Sequence, residues 1–182
     1  MPSQTPLLVL GLGNTICSDD GLGIAAIERL RRDYEAPEGA RVLDGGTLGL
    51  ALLPELEIAE QAILVDAVRD DLPAGSFVRL EGEEVAPAVA ARLSPHQIGV
   101  ADLLEAAHWV ERYPRTVVLL GLVPGSIELG VERSASVEAG LSRLVDAVVE
   151  EAARLGFEFR SRESDEDVSG ARVGDGTGSG WL

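Results

Sequence analysis

A glycine-rich turn joins a buried strand to a helix near the amino terminus. Residues 7–12 are apolar enough for a strand, and apolar residues at helical spacing begin near Gly21. Such turns commonly bind phosphate through their backbone N–H groups. Here Asp19 and Asp20 occupy the turn and would repel a pyrophosphate. The turn therefore combines the shape of a nucleotide site with the charge of a site for a cation or a cationic substrate group.

Strands and helices alternate along most of the chain. Apolar runs predict strands at residues 7–12, 40–44, 61–68, 76–80 and 116–123, and helical spacing predicts helices at 21–34, 47–58, 98–112 and 135–155. Strands made of continuous apolar runs are buried on both faces. We therefore predict an α/β fold, a three-layer α/β/α sandwich with a mostly parallel five-stranded sheet. The short link at 69–75 predicts a fourth strand antiparallel to the third.

Composition defines the boundaries of the domain and excludes several functions. We predict a single domain over residues 1–160 and a disordered acidic tail over 161–182, with docking through Trp181 as the alternative for the tail. The net charge of −16 argues against nucleic acid as a partner, and fits either simple solubility or a basic protein partner. The chain contains no lysine, which excludes P-loop and Schiff-base chemistry.

Compartment and assembly follow from the same composition. No apolar run approaches the ~20 residues of a membrane helix, and the first residues lack the pattern of a signal peptide. A lone cysteine, Cys17, excludes an internal disulfide and fits a reducing compartment. We expect a cytoplasmic protein without membrane insertion, and a monomer.

Polar clusters follow the predicted strands where ligands of doubly wound sheets usually bind. Asp20 follows the first strand, the sequence DGGT at 44–47 follows the second, Asp66 ends the third, and His96 precedes the helix at 98. We predict that Asp20, Asp66 and His96 converge on one point. Two carboxylates and an imidazole with open coordination positions suit zinc, nickel or iron(II) better than calcium or magnesium.

Each of these polar residues also has a structural interpretation. We assign Asp19 to capping of the first helix, which would leave Asp20 for the site. Asp66 ends a buried strand, where a purely structural aspartate would need several hydrogen bonds. His96 could cap the helix that follows it. We interpret His108 and Cys17 as structural, since neither has a suitable chemical partner nearby in the sequence.

Common enzyme motifs are absent from the sequence. The Rossmann fingerprint fails because Ile16 occupies its third small position after Gly11 and Gly13, and because acids fill the phosphate site. The chain contains neither a Gly-x-Ser-x-Gly elbow nor a His-Glu-x-x-His helix. Serine hydrolases and zincin metalloproteases therefore have no support.

Taken together, the motifs resemble those of the hydrogenase maturation endopeptidases, which process the large subunit of [NiFe]-hydrogenases. The motifs are GLGN at 11–14 with DDGLG at 19–23, DGGT at 44–47, VDA at 65–67 and SPHQIGVAD at 94–102. The resemblance runs in register from about residue 7 to 155 and includes LVP at 122–124. The SPHQ form is most similar to the branch that serves uptake, membrane-associated hydrogenases.

The resemblance implies both an activity and its site residues. It implies a five-stranded α/β/α endopeptidase that removes the C-terminal extension from the nickel-loaded precursor of a hydrogenase large subunit. The nickel would then come with the precursor. The residues implied to contact nickel and carry catalysis are Asp20, where the family often has Glu, together with Asp66 and His96. Whether nickel is the catalyst or only a recognition handle stays open, and the alternatives are a nickel chaperone and a Rossmann-type nucleotide-binding domain.

Overall fold

A five-stranded sheet forms the centre of the molecule. The computed structural model describes residues 5–90 and 113–162. The strands are β1 (Thr5–Leu12), β2 (Tyr34–Glu35), β3 (Ala40–Gly46), β4 (Ala59–Ala67), β5 (Phe77–Glu81), β6 (Thr116–Leu122) and β7 (Arg160–Ser161). The helices are α1 (Leu22–Asp33), α2 (Leu53–Ile58), α3 (Val85–Ala90) and α4 (Ala135–Arg154).

The strand order is β3-β1-β4-β6-β5, and every pair is parallel except β5 with β6. The predicted mostly parallel sheet with one antiparallel strand is therefore confirmed. The fourth strand, β5, runs antiparallel to the third, β4, as predicted, but the two do not pair, because β6 lies between them. The link at 69–75 does not form a tight hairpin with β4. It carries the chain past the position that β6 later fills.

Two hydrophobic cores lie on opposite faces of the sheet. Leu7 and Val9 of β1 point to the face covered by α1 and α4. Leu8 and Leu10 point to the other face, where they pack with residues of α2 and α3. Side chains alternate between faces along a strand, so a strand buried on both sides must be continuously apolar. The predicted three layers are confirmed.

Two helices begin later than the sequence pattern predicts, whereas α4 begins at Ala135 as predicted. A 3-10 turn, Ser18–Gly21, precedes α1. The helix predicted at 47–58 consists of a 3-10 turn, Gly49–Leu52, followed by α2, which has proline in its first turn. Proline suits that position because it has no N–H to leave unpaired. The short helix α3 was not predicted, and the helix predicted at 98–112 lies outside the described residues.

A small ribbon at the amino end of the sheet extends the folded domain past residue 160. Strand β7 pairs antiparallel with β2, and the Arg162 N–H donates to the Asp33 carbonyl oxygen at 2.9 Å. Ser161 and Arg162, which the sequence prediction assigned to the tail, therefore pack on the domain. The rest of the predicted tail, with Trp181, lies outside the described residues.

A salt bridge fastens the last long helix to the sheet. The Arg79 guanidinium of β5 donates to both carboxylate oxygens of Glu151 on α4, at 2.9 and 2.8 Å. Arg154 donates to the same carboxylate at 2.8 Å, and Glu151 is almost fully buried.

In residues 5–90 and 113–162, no helix combines the length and the apolar character that crossing a membrane requires.

Candidate functional site

Glycines let the first turn of α1 sit directly on the carboxyl ends of two strands. A Cβ atom at Gly23 would overlap the carbonyl oxygens of Leu12 in β1 and Val65 in β4. Gly13 has φ of +126°, a left-handed value that favours glycine, and a Cβ there would overlap the Asp20 carbonyl oxygen. The turn can therefore fold back tightly, and it carries Asp20 to the end of the sheet.

Asp20 lies in the 3-10 turn with its side chain only 8% exposed. Its Oδ2 atom accepts a hydrogen bond from the Asn14 backbone N–H at 2.9 Å, across the turn. The Asn14 side chain in turn accepts from the Ile16 N–H at 3.2 Å. These contacts fix the orientation of the Asp20 carboxylate relative to the end of β1.

Asp66 lies at the carboxyl end of β4 and is fully buried. Its Oδ1 accepts from the Ala67 N–H at 2.8 Å. The neighbouring β6 residue is Gly121, where a Cβ would overlap the Asp66 carbonyl oxygen. Burying a carboxylate is costly unless hydrogen bonds or a cation compensate for its lost hydration. An aspartate at this position therefore needs hydrogen bonds or a cation that compensate for its burial.

The structure brings the two predicted carboxylates to the same region of the sheet. The turn that carries Asp20 contacts β4, which carries Asp66. The third predicted ligand, His96, lies outside the described residues, as does His108. Within residues 5–90 and 113–162, no three His, Cys, Asp or Glu side chains are grouped so that they could hold a metal ion. Of the three predicted site residues, the structure describes the two acidic ones, Asp20 and Asp66.

Asp19 does not cap the helix, contrary to the sequence prediction. The residues at the N-caps of the 3-10 turn and of α1 make no capping hydrogen bond with their side chains. The buried carboxylate of Asp19 points instead to the loop after β6. There it accepts from the backbone N–H groups of Gly125 at 2.7 Å and Ser126 at 3.0 Å. Asp19 is thus an anchor for a distant loop.

Ser134 completes the environment of Asp19. Its backbone N–H donates to Oδ1 at 2.6 Å, and its hydroxyl donates to Oδ2 at 2.7 Å. Burial works to raise the pKa of Asp19, but the hydrogen bonds from Ser134, Ser126 and Gly125 outweigh it and lower the pKa below 3.8. Ser134 is also the N-cap of α4, so the same hydroxyl links Asp19 to the start of that helix.

Backbone hydrogen bonds join the loop after β1 to the loop after β6. The Gly130 N–H donates to the Ile16 carbonyl oxygen at 3.0 Å, and the Ser18 N–H donates to the Gly130 carbonyl oxygen at 2.7 Å. Ser18 takes φ of 48°, unusual for a residue with a side chain, and its hydroxyl donates to the Glu128 carbonyl oxygen at 2.9 Å. The two loops are thus joined by a short parallel β-ladder in which Gly130 pairs with Cys17.

The DGGT sequence also lies next to the site. Asp44 Oδ1 accepts from the Gly46 N–H at 2.9 Å, which closes a local turn at the end of β3. The Gly46 carbonyl oxygen accepts from the Gly13 N–H at 3.1 Å, so this turn is tied to the one that carries Asp20. The Asp44 side chain is exposed, and its local hydrogen bond explains its position without a ligand.

The sequence pattern predicts the positions of Asp20 and Asp66 after β1 and near the end of β4, where the structure has them, but it does not reveal the role of Asp19. Two adjacent aspartates before a helix fit a cap and a ligand equally well. The groups that bind Asp19 lie 106 to 115 residues further along the chain, so no local pattern could have revealed them. Ser134 had one usable signal, because a serine directly before a helical pattern commonly caps a helix.

Comparison with known proteins identifies the family of this chain. The sequence model described as hydrogenase maturation protease matches residues 24–151. The hydrogenase 2 maturation protease of Escherichia coli K12 is 33% identical, covering 88% of this chain and 99% of its own. The HoxM hydrogenase expression/formation protein of Azotobacter vinelandii is 34% identical, over 93% and 78% of the two chains. The structure of the E. coli maturating endopeptidase HybD superposes with a TM-score of 0.83 at 31% identity, over 87% and 99% of the chains. The chain belongs to the hydrogenase maturation protease family.

Proposed function

We propose that this protein removes the C-terminal extension from the nickel-loaded precursor of a [NiFe]-hydrogenase large subunit, and that it works as a cytoplasmic monomer. The observation that carries the proposal is the pair Asp20 and Asp66. In a member of a maturation protease family, two buried carboxylates are carried by neighbouring parallel strands or their connections: Asp66 lies near the end of β4, and Asp20 lies in the 3-10 turn that follows β1. That is the position where ligands of doubly wound sheets bind.

In this proposal nickel is part of the substrate, and the protease supplies ligands to it. Asp20 and Asp66 would each offer a carboxylate oxygen, and His96 would offer an imidazole nitrogen. Mixed oxygen and nitrogen ligands suit divalent ions of intermediate softness, including nickel. Three such ligands leave positions open for groups of the precursor, so one ion can contact both proteins and hold the scissile peptide beside the carboxylates.

The chain's own residues would then have four roles in peptide hydrolysis. The two carboxylates and His96 orient the precursor. One carboxylate accepts the proton of the attacking water as general base and returns it to the amine that leaves when the peptide C–N bond breaks. The Asn14 N–H holds the Asp20 carboxylate in place. Asp19 holds the neighbouring loops together through four hydrogen bonds, and so keeps the site rigid without touching the substrate.

The decisive experiment is a cleavage assay on purified precursor with and without nickel. We expect the wild-type protein to shorten only the nickel-loaded precursor, seen as a shift on a denaturing gel. Asp66→Asn and His96→Ala should each lower the rate at least about 100-fold. Asp44→Asn is the matched control, because this exposed carboxylate makes only a local turn contact. It should cleave at close to the wild-type rate.

Three outcomes would overturn the proposal. The first is equal cleavage of nickel-free precursor. The second is full activity in both Asp66→Asn and His96→Ala. The third is nickel transfer to the precursor without any cleavage, which would identify a chaperone that uses the same ligands. Thermal unfolding of each variant separates a lost site from a lost fold.

A further inference from the structure

The exposed large apolar side chains are concentrated at one end of the molecule. Scattered surface leucines are normal in soluble proteins and need no explanation. In the described ranges, however, every large apolar side chain that is exposed follows the carboxyl end of β1, β3, β4 or β6, and these residues are Ile16, Leu48, Leu50, Leu72, Leu129 and Val131. The most exposed are Leu129 at 83% and Val131 at 74%.

Three of these residues belong to one hydrogen-bonded unit. Leu129 and Val131 flank Gly130, whose N–H and carbonyl groups pair with Ile16 and Ser18 on the loop after β1. Asp19 ties the other end of the β6 loop to the same turn. The backbone that carries these side chains is therefore held in place relative to the turn that contains Asp20. A rigid exposed apolar surface loses little entropy when a partner covers it.

Acidic residues frame this apolar surface. Glu128 and Glu132 are exposed directly beside Leu129 and Val131. The nearest arginine in the sequence, Arg133, donates to Glu138 at 2.9 Å, so its charge is already paired. The chain as a whole carries a net charge of −16. Such a surface complements an apolar segment that carries arginine or lysine, and it repels the anionic surface of a membrane.

We propose that Ile16, Leu129 and Val131, framed by Glu128 and Glu132, form the docking surface for the hydrogenase large-subunit precursor. The segment that docks there is apolar with flanking basic side chains. This inference rests on the proposed function. It adds a second surface, outside the carboxylate site, to which the precursor binds. Docking on the ladder between the β1 and β6 loops places the bound protein beside the turn that carries Asp20.

The first test removes the apolar contacts. The double variant Leu129→Ser/Val131→Ser should raise KM for nickel-loaded precursor by about tenfold or more, with kcat nearly unchanged because Asp20 and Asp66 are untouched. Its melting temperature should stay within about 2 °C of wild type, since the side chains are exposed. In hydrogen exchange, precursor binding should protect residues 127–133 and leave 36–39 at the opposite end of the sheet unchanged.

The second test separates local from overall charge. Glu128→Gln/Glu132→Gln and Glu38→Gln/Glu158→Gln remove the same number of charges from exposed positions at opposite ends of the sheet. Only the first pair should raise KM, by about threefold at low salt, with the difference shrinking at high salt. An equal rise in KM in both double variants would show that the effect comes from net charge, and it would overturn the proposed role of Glu128 and Glu132 in docking.

The failures of the two proposals can be told apart. If wild-type protein cleaves the precursor and Leu129→Ser/Val131→Ser keeps a wild-type KM, the docking surface is wrong and the protease function stands. If wild-type protein cleaves nothing, the function fails, and the affinity of both proteins for the precursor, measured by calorimetry, still decides the docking surface. Sedimentation with phosphatidylserine vesicles tests whether the same surface binds an anionic membrane instead. Binding that the double variant loses would make the surface a lipid site and overturn the inference.

Discussion

The carboxylate of Asp19 accepts two hydrogen bonds from Ser134, a residue 115 positions further along the chain. One comes from the backbone N–H and the other from the hydroxyl group that caps α4. Through this pair, the loop after β1 is joined to the beginning of the last long helix. The turn that also carries Asp20 is thereby tied to the loop after β6 and to the start of α4.

Replacing Asp19 should destabilise the protein far more than the loss of a helix cap. A cap contributes about 0.5–2 kcal/mol. Asp19→Ala leaves three partly buried N–H groups and one hydroxyl without their acceptor, and we expect a loss of about 3–5 kcal/mol in the free energy of unfolding. Urea denaturation measures it. Asp44→Ala is the control, and should cost less than about 1 kcal/mol because that side chain is exposed. Similar losses in the two variants would contradict the anchoring role.

Asp19 should also contribute to acid unfolding. Its pKa is lowered in the folded state, so the unfolded chain binds a proton more readily than the folded protein does. The contribution of Asp19 to stability is therefore fully present above the unfolded pKa of about 3.8, and it is lost as the pH falls through the lower folded value. Asp19→Asn should show a weaker loss of stability between pH 4 and pH 2 than wild type, at ~0.1 M salt. Parallel curves of unfolding free energy against pH would contradict this.

The Arg79–Glu151 salt bridge should show strong coupling in a double-mutant cycle. Arg79→Met leaves the almost fully buried Glu151 carboxylate with only Arg154, and we expect a cost of about 1–3 kcal/mol, less than for a wholly buried pair because Arg79 is partly exposed. Arg79→Met/Glu151→Leu should recover much of that loss, since no uncompensated charge remains buried. Chemical denaturation of the four proteins measures the coupling. Strictly additive losses would show that the pair does not stabilise the contact of β5 with α4.

Gly23→Ala should damage both stability and activity. The added Cβ would overlap the carbonyl oxygens of Leu12 and Val65, so α1 must move away from β1 and β4. We expect a loss of about 2–4 kcal/mol and a fall in cleavage rate, because the turn that carries Asp20 moves with the helix. Gly82→Ala is a matched control. It has positive φ but no atom near its added Cβ, and it should cost only about 1 kcal/mol while cleavage stays normal.

The sequence was informative where a local pattern determines the structure. The apolar run before the glycine-rich turn and the run that ends at Asp66 predict two parallel strands, and their ends place both carboxylates at one edge. Long-range choices had no such signal. The link at 69–75 contains no signal for the position of β6. That strand begins about forty residues later and pairs with β4. The two-residue strands β2 and β7 are too short for any periodicity to show. For Asp19, the local pattern predicts a helix cap, because the groups that donate to its carboxylate lie more than 100 residues further along the chain.

Substitutions at Asp20 should distinguish a ligand from a structural acid. Asp20→Asn keeps an oxygen that can accept from the Asn14 N–H but removes the negative charge, so the fold should persist while cleavage of nickel-loaded precursor falls at least about 100-fold. Asp20→Glu keeps the charge and moves it outward by one methylene, about 1.5 Å. It should therefore retain more activity than Asp20→Asn.

The measurement for this series is single-turnover cleavage, with melting temperature followed in parallel. If Asp20→Glu and Asp20→Asn are equally inactive but well folded, geometry matters more than charge at this position. If Asp20→Asn cleaves as fast as wild type, the Asp20 carboxylate neither holds the ion nor moves the proton. The buried carboxylate would then have a structural role that includes accepting the hydrogen bond from the Asn14 N–H, and Asp66 with His96 would have to carry the reaction.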